Sequence, residues 1–254
     1  MKLLHFVAIG MLSSVLLASC KKETTDPAPK VDPYGKLTVS FANEIDGQPI
    51  VLGPMNYTNT AGNTYSVDML KYYVSNFTLV KADGSETNFK NYALLDASVP
   101  STLSFTLDSV LNGEYTAVKF LLGVDSARNH TGAQEGALDP VHGMIWTWNT
   151  GYIFFKHEGN FKDSTGATQP LVFHLGTDNA LTAITVPITK LAVAGNSRKL
   201  FLDFNLNSAY ATSTGAYMNF NFDNNRMSSD RDDIFWIHSM KAMLADAFSY
   251  NKAE

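Results

Sequence analysis

The stretch LFLDFNL (residues 200–206) gives the clearest indication of the fold class. Leu200, Leu202, Phe204 and Leu206 recur at every second position. Successive side chains of a β-strand point to opposite faces of a sheet, so these four side chains would share one face. The period of two therefore predicts a strand with one buried face, and the same signal can be followed outward along the chain.

Strand-like patterns recur on both sides of this stretch. The segments share either apolar–polar alternation or a high aromatic content with few helix formers: residues 37–41, 71–80, 103–107, 118–122, 151–159 and 184–188. Turns such as Asp83-Gly84 and Asn112-Gly113 separate neighbouring segments. Many short strands with turns between them favour a sandwich over an α/β fold. We predict an all-β protein, a β-sandwich of about eight to nine antiparallel strands.

A long irregular segment interrupts the strand pattern between residues 123 and 150. Its sequence, GVDSARNHTGAQEGALDPVHGMIWTWNT, shows little periodicity of either kind. Long irregular loops in compact domains tend to be functional or disordered. Two tryptophans, Trp146 and Trp148, favour an ordered loop here. We therefore expect the functional site to involve this loop.

The C-terminal residues favour a short helix. Apolar side chains at spacings of three and four would form one stripe: Ile237, Met240, Leu244 and Phe248. Two starting points remain open. The helix begins near Ser229, with aspartates in its first turn, or Ser239 caps a shorter helix that begins at Met240.

The N-terminal residues are typical of a bacterial lipoprotein. Residues 1–19 have a basic start and an apolar core too short to span a membrane, which indicates a signal peptide. The end of this segment, LASC (17–20), resembles a lipobox and implies cleavage before Cys20 and lipidation of its thiol. Cys20 is the only cysteine, so no thiol would remain for a disulfide or for catalysis. Residues 20–35 are the predicted lipidated tether, and residues 36–254 the predicted domain.

These features predict an exported, lipid-anchored protein whose partner is a membrane. Lys21, rather than an aspartate, follows the lipidated position, which favours the outer membrane; the periplasmic and surface faces both remain open. Removal of the signal peptide leaves 18 basic and 24 acidic residues, a net charge of −6. An acidic domain without a basic stripe is a poor candidate for binding nucleic acid.

Seven short motifs follow one another along the chain: LKYYVSNF (70–77), LGVD (122–125), N-x-x-GAQ (129–134), GALDP (136–140), GM-x-W-x-W-N-x-GY (143–152), K-x-EG (156–159) and FHLG (173–176). In this order they resemble the MbnP-like domain of bacterial copper-associated proteins. The resemblance covers nearly all of the predicted mature chain, and W-x-W-N-x-GY is its most specific part. It implies an exported, mostly β protein that is associated with copper.

Copper, as the cofactor implied by the resemblance, directs attention to soft ligands. Copper(I) prefers imidazole and thioether groups. His174 lies in the FHLG motif, and its alternation with Phe173 turns it away from one apolar layer. His238, in the run His-Ser-Met (238–240), resembles a family position near the final helix, and Met240 follows it two residues later. They could chelate one ion if that segment is extended, whereas in a helix they would diverge by about 200°.

The tryptophans of the loop carry a second implication of the resemblance. In some family members a dihaem peroxidase-like partner oxidises a tryptophan to kynurenine near or at the metal. Trp146 and Trp148 are the matching positions, and in extended backbone their side chains would share a face. The alternative is that both indoles pack the loop against the sheets.

Oxygen-bearing side chains are spaced across the same loop. Asp125, Asn129 and Asp139 lie in motifs that match the family. They could form a hard-cation site, or they could order the loop through turn and Asx-capping hydrogen bonds. Surface or hydrogen-bonding roles are expected for the other histidines of the mature chain: His130, His142 and His157.

Three functions are compatible with these residues. The leading hypothesis is a membrane-tethered copper-binding or copper-handling protein that is not an enzyme. The alternative is a surface β-sandwich that binds a protein or a glycan and has no metal role. A hydrolase using Glu135, Asp139 or Glu158 is the third; no phosphate loop, His-Glu-x-x-His, Cys-x-x-Cys or Gly-x-Ser-x-Gly motif supports an enzyme.

Overall fold

The structure, a computed structural model, describes residues 32–146, 151–222, 227–228 and 234–254. Two α-helices lie in these ranges, α1 (Ser126–Asn129) and α2 (Ile234–Ala245). The strands of the same ranges are, in chain order, β1 (Tyr34–Ile45), β2 (Gln48–Pro49), β3 (Tyr57–Thr58), β4 (Thr64–Tyr65), β5 (Met69–Lys81), β6 (Glu86–Asn88), β7 (Tyr92–Asp96), β8 (Ser104–Leu111), β9 (Gly113–Leu122), β10 (Ile153–Lys162), β11 (Thr168–Gly176), β12 (Thr182–Val193), β13 (Ser197–Asn205), β14 (Met227–Ser228) and β15 (Phe248–Ala253).

The strands form two sheets. In the smaller sheet the order is β15-β13-β1-β2, and β8 also pairs with β1. In the larger sheet the order is β12-β9-β5-β10-β11-β14, with β4, β6 and β7 paired to its members and β3 paired to β4. Together the two sheets form the predicted all-β sandwich, and they place β10 and β11 next to each other.

Pairing is mostly antiparallel, as the sequence predicts, with two parallel exceptions. Strand β1 runs parallel to β13, from Lys36 opposite Ser197 to Glu44 opposite Asn205. The short strand β14 runs parallel to β11. Alternation of side chains is the same in both kinds of pairing, so the sequence pattern alone could not reveal these two exceptions.

The core lies between the two sheets and is rich in aromatic rings. Phe41 of the smaller sheet contacts Phe120 of the larger sheet edge-on, with ring centroids 5.9 Å apart. Phe248 of β15 packs against the same Phe120 ring at 5.1 Å. The alternating side chains Leu200 and Phe204 of β13 are fully buried. The alternation therefore identified the face of β13 that points into the core.

The number of long strands and most of the C-terminal helix agree with the sequence pattern, whereas one predicted helical residue does not. Nine of the described strands have six residues or more, which agrees with the predicted eight or nine. Helix α2 contains the predicted stripe residues Ile237, Met240 and Leu244, all buried. Phe248 lies beyond the helix, in β15, so its assignment to the helical stripe was wrong. The reason is that Phe248 is an edge-on partner of core phenylalanines and completes the smaller sheet.

The helices of the described residues do not combine the length and the apolar character that a bilayer crossing requires. The predicted signal peptide lies outside the described residues, and so does the predicted tether as far as residue 31, including Cys20. Of the tether, the structure describes only residues 32–35.

Candidate metal centre

The long loop is ordered by one buried asparagine. Asn129, at the end of α1, is 1% exposed. Its Oδ1 accepts a hydrogen bond from the backbone N–H of Tyr152 at 2.8 Å, and its Nδ2 donates to Oδ1 of Asp178 at 2.9 Å. One side chain thus joins the loop to the start of β10 and to the turn after β11. Gly151 makes this possible, because a Cβ there would lie 3.0 Å from Oδ1 of Asn129.

Two tyrosines hold the middle of the loop through its carbonyl groups. The Tyr152 hydroxyl donates to the carbonyl of Leu138 at 2.8 Å. The Tyr73 hydroxyl donates to the carbonyl of Ala137 at 3.0 Å, and the two rings pack edge-on. The described part of the loop, residues 123–146, is therefore held in place by hydrogen bonds from tyrosines at the larger sheet and at the start of β10.

Asp125 and Asp139 bond to protein groups at separate places. The Asp125 carboxylate accepts hydrogen bonds from the Tyr92 hydroxyl and from Nδ2 of Asn76. Burial alone would raise the pKa of Asp125, but these hydrogen bonds hold it below its usual value. Asp139 accepts from the backbone N–H of Val141 at 2.9 Å and so caps a short 3₁₀ turn. These contacts order the loop; they do not gather the oxygens around one cation.

His174 pairs with a carboxylate on the neighbouring strand. Strand β11 carries His174 opposite Lys156 of β10, and Glu158 lies diagonally across from it. Nε2 of His174 lies 2.8 Å from Oε1 of Glu158, and Nζ of Lys156 lies 3.3 Å from the same oxygen. The histidine side chain is 17% exposed. The cross-strand register of β10 and β11 therefore creates a partly buried triplet of charged and titratable groups.

The protonation states of His174 and Glu158 determine which ring nitrogen of His174 has a lone pair that a metal ion could use. Burial lowers the pKa of His174 and outweighs the raising effect of Glu158. Burial would raise the pKa of Glu158, but His174 and Lys156 hold it below its usual value. An ionised carboxylate can only accept, so the neutral imidazole donates through Nε2–H and keeps its lone pair on Nδ1. Metal-binding histidines are commonly oriented by such a carboxylate.

Trp146 lies beside this histidine. The two ring centroids are 6.0 Å apart and the rings are tilted by 54°. Trp146 is buried, and Gly176 at the end of the FHLG motif provides room for it: a Cβ on Gly176 would lie 3.0 Å from the indole Nε1. The motifs W-x-W-N-x-GY and FHLG thus meet at this point. Trp148, the second tryptophan predicted here, lies outside the described residues.

His238 and Met240 are not brought together. Both lie on α2, where residues two apart point in different directions. His238 is exposed, whereas Met240 is fully buried in the core. The helix also packs on the other face of β11, because Trp236 stacks on Phe173. The prediction that His238 and Met240 chelate one ion required an extended segment. It is wrong, because the backbone of this segment is helical.

The three other described histidines have different surroundings. His157 is completely buried, accepts from the Tyr210 hydroxyl at Nδ1 and approaches the Ser66 carbonyl through Nε2 at 3.4 Å. Its two ring nitrogens are therefore both engaged. His142 bonds the carbonyl of Gly136, and His130, half exposed, bonds Asp178. Ser126 donates to Asp178 rather than to His130, so no nucleophilic relay forms there.

Sequence reasoning missed the role of Glu158. The motif K-x-EG contained the residue, and a charged residue in an apolar strand was the only signal. That signal did not name His174 as the partner, because the diagonal contact depends on the register of β10 against β11. Among the described residues, no three histidine, cysteine, aspartate or glutamate side chains converge as they would around a metal ion.

These features describe an all-β sandwich with a histidine–carboxylate pair under an ordered loop. The chain belongs to the MbnP family, whose model matches residues 34–235. Among solved structures it is similar to MbnP from Methylosinus trichosporium, with 20% sequence identity and a TM-score of 0.43. That match covers 66% of this chain and 75% of the other. The comparison with curated proteins gave no match.

Proposed function

We propose that this protein is an exported, lipid-anchored copper-binding or copper-handling protein, and that Nδ1 of His174 is a copper ligand. Membership of the MbnP family supports the copper role. The protein binds and passes on the metal and does not turn over a substrate. The single observation that supports the ligand is the pairing of His174 with Glu158 beside Trp146.

The residues present fit one position of a copper site. A neutral imidazole is a ligand that copper prefers, and Glu158 would hold its ring orientation. Met240 does not supply a thioether here, because it is buried in the core on a helix that packs against the opposite face of β11. The described residues thus provide one copper ligand, the imidazole of His174, and the carboxylate of Glu158 that orients it. Any further copper ligands belong to the proposal and are not among the contacts of the described residues.

The tryptophan beside His174 is the proposed place of an oxidative modification. Conversion of Trp146 to kynurenine by a dihaem peroxidase-like partner would place an aromatic amine near the imidazole. Trp148, the other proposed position of the modification, lies outside the described residues. The position of the Trp146 ring, 6.0 Å from the His174 ring, supports Trp146 over a residue elsewhere in the domain. Peptide mass measurement on protein from its native host tests this, and unmodified indoles at both positions would exclude the modification.

Copper analysis of the exported protein tests the ligand. We expect His174→Ala to lose bound copper, and Glu158→Gln to retain it with about 10- to 100-fold weaker affinity, the usual effect of removing such an orienting partner. His130→Ala is the matched control, because His130 also bonds a carboxylate but is half exposed. His238→Ala is the second control. Unchanged copper in His174→Ala, or loss of copper in His238→Ala, would reverse the assignment.

A further inference from the structure

A second concave surface lies on the larger sheet, separate from His174. Strand β11, which carries His174, is separated from β9 by β5 and β10. Next to β9 is a cavity of about 710 Å³ between the β6–β7 segment and the α1 turn. None of His174, Glu158, Lys156 or Trp146 lines it. Its volume is in the range of small-molecule sites in proteins.

The floor of this cavity is apolar. Leu121 of β9 and Ala183 of β12 are direct cross-strand neighbours and both line it. They alternate with the buried residues Phe120 and Ile184, so they belong to the face of the sheet that points away from the core. Covering an apolar surface of this kind with a planar apolar group is favourable, because it removes apolar area from water.

One wall is an aromatic ring held in place from behind. Asn76 has a φ of 52°, at a point where the register of β5 against β9 shifts. This bulge aims its side chain at Asp125, which also accepts from the Tyr92 hydroxyl. Burial and the hydrogen bond to Asp125 raise the pKa of Tyr92 to about 12, so the ring stays a neutral phenol. The Arg128 guanidinium lies 5.9 Å from the centre of this ring.

The charge of the lining is opposite to that of the whole protein. The chain has a net charge of −5, but the cavity is lined by Lys90, Lys119 and Arg128 against one carboxylate, Asp125. Lys119 pairs with Glu86, and Asp125 is occupied by its two hydrogen bonds. Within the described part of the chain, no carboxylate forms an ion pair with Lys90 or Arg128. The positive charges of Lys90 and Arg128 are therefore available to an anionic ligand.

We propose that this cavity binds a small aromatic carboxylate. The guanidinium of Arg128 presents a planar set of donors that matches a carboxylate. Its Nη1 donates to Oε1 of Gln134 at 3.1 Å, and the guanidinium also lies beside the Tyr92 side chain, so the group is positioned within the cavity wall. Lys90 adds a second positive charge. The Tyr92 ring and the Leu121–Ala183 floor contact the aromatic body. The site is independent of copper, because it shares no residue with the proposed metal centre.

Titration of the mature, copper-free protein with benzoate tests the proposal. We expect saturable binding of benzoate, and binding of neutral benzamide that is at least about tenfold weaker, the loss expected for one charge-assisted interaction. Calorimetry or chemical-shift mapping measures both. Absence of benzoate binding would overturn the proposal, as would equal affinity for benzamide, which would mean an apolar cleft without anion selectivity.

Three variants and a control locate the site. Arg128→Gln and Lys90→Gln, both at exposed positions, are each expected to weaken benzoate binding by about tenfold. Ala183→Trp, which fills the floor from an exposed position, is expected to abolish it. Lys162→Gln removes an exposed charge outside the cavity and is expected to leave the affinity unchanged. Unchanged affinity in Arg128→Gln or in Ala183→Trp would overturn the proposal, and thermal melts confirm that each variant is folded.

Discussion

What distinguishes His174 from the other histidines is the set of groups around its ring. His157 uses both nitrogens within the core, and His130 faces solvent beside its carboxylate. His174 is mostly buried, has one nitrogen oriented by Glu158 and lies next to an indole. A ring that is neutral, oriented and shielded from bulk water is suited to hold a soft metal ion.

His157 makes a prediction about stability against pH. Burial lowers its pKa to about 4 from the ordinary value of 6.5, so the folded protein keeps it neutral. Between these two values the unfolded chain binds a proton that the folded chain does not. The free energy of unfolding should therefore fall as the pH drops from 6.5 towards 4, by about 3 kcal/mol in total from this residue. Urea denaturation at a series of pH values measures the change.

The variant His157→Leu isolates this contribution. It leaves the Tyr210 hydroxyl without its acceptor and should be less stable at neutral pH, but the decrease between about pH 6.5 and 4.5 should be smaller than in the wild type. His238→Ala, at an exposed position, should keep the wild-type pH dependence. Identical pH slopes for His157→Leu and the wild type would contradict the assignment.

Among the secondary-structure elements, β11 separates two environments. Phe173 points into the core, where it stacks on His157 and Trp236. The next residue, His174, points to the opposite face, where Glu158 and Trp146 lie. A single strand thus connects the packed interior with the candidate metal centre, because successive side chains alternate across the sheet.

Helix α2 makes a prediction that separates packing from metal binding. Met240 is fully buried, so Met240→Ala should lower the free energy of unfolding by about 2–5 kcal/mol and leave the copper content of the folded protein unchanged. His238→Ala, on the exposed side of the same helix, should change stability by less than about 0.5 kcal/mol. Chemical denaturation and metal analysis test both. Loss of copper from folded Met240→Ala protein would restore Met240 as a ligand.

For the molecule as a whole, the proposed attachment to the membrane depends on Cys20. Incorporation of a labelled fatty acid in the native host should occur in the wild type and be absent in Cys20→Ser, because the thiol is the proposed acceptor of the lipid. The mature N-terminus should be residue 20. Label that persists in the variant, or a mature protein that begins elsewhere, would show that Cys20 is not the anchor. As a control, the thermal melt of the domain should be the same in Cys20→Ser and in the wild type.

The sandwich was largely predictable because its signal is local. Alternation in LFLDFNL, aromatic segments and turn residues each lie within a few positions of one another, and they indicated the strands and their buried faces. The C-terminal boundary was less predictable, since Phe248 fits a helical spacing as well as a strand. Its place in β15 depends on pairing with β13, which is distant in sequence.

The amino-acid order alone was enough to predict the strand pattern, the family motifs and the candidate status of His174 and Trp146; the lipid anchor at Cys20 stays a prediction. The folded chain was needed to show that His174 meets Glu158, that Met240 is buried while His238 is exposed, and that three cations collect in a cavity on an acidic protein. The physical reason is that strand patterns repeat over a few residues. Contacts between side chains, by contrast, depend on register and packing between segments that are far apart along the chain.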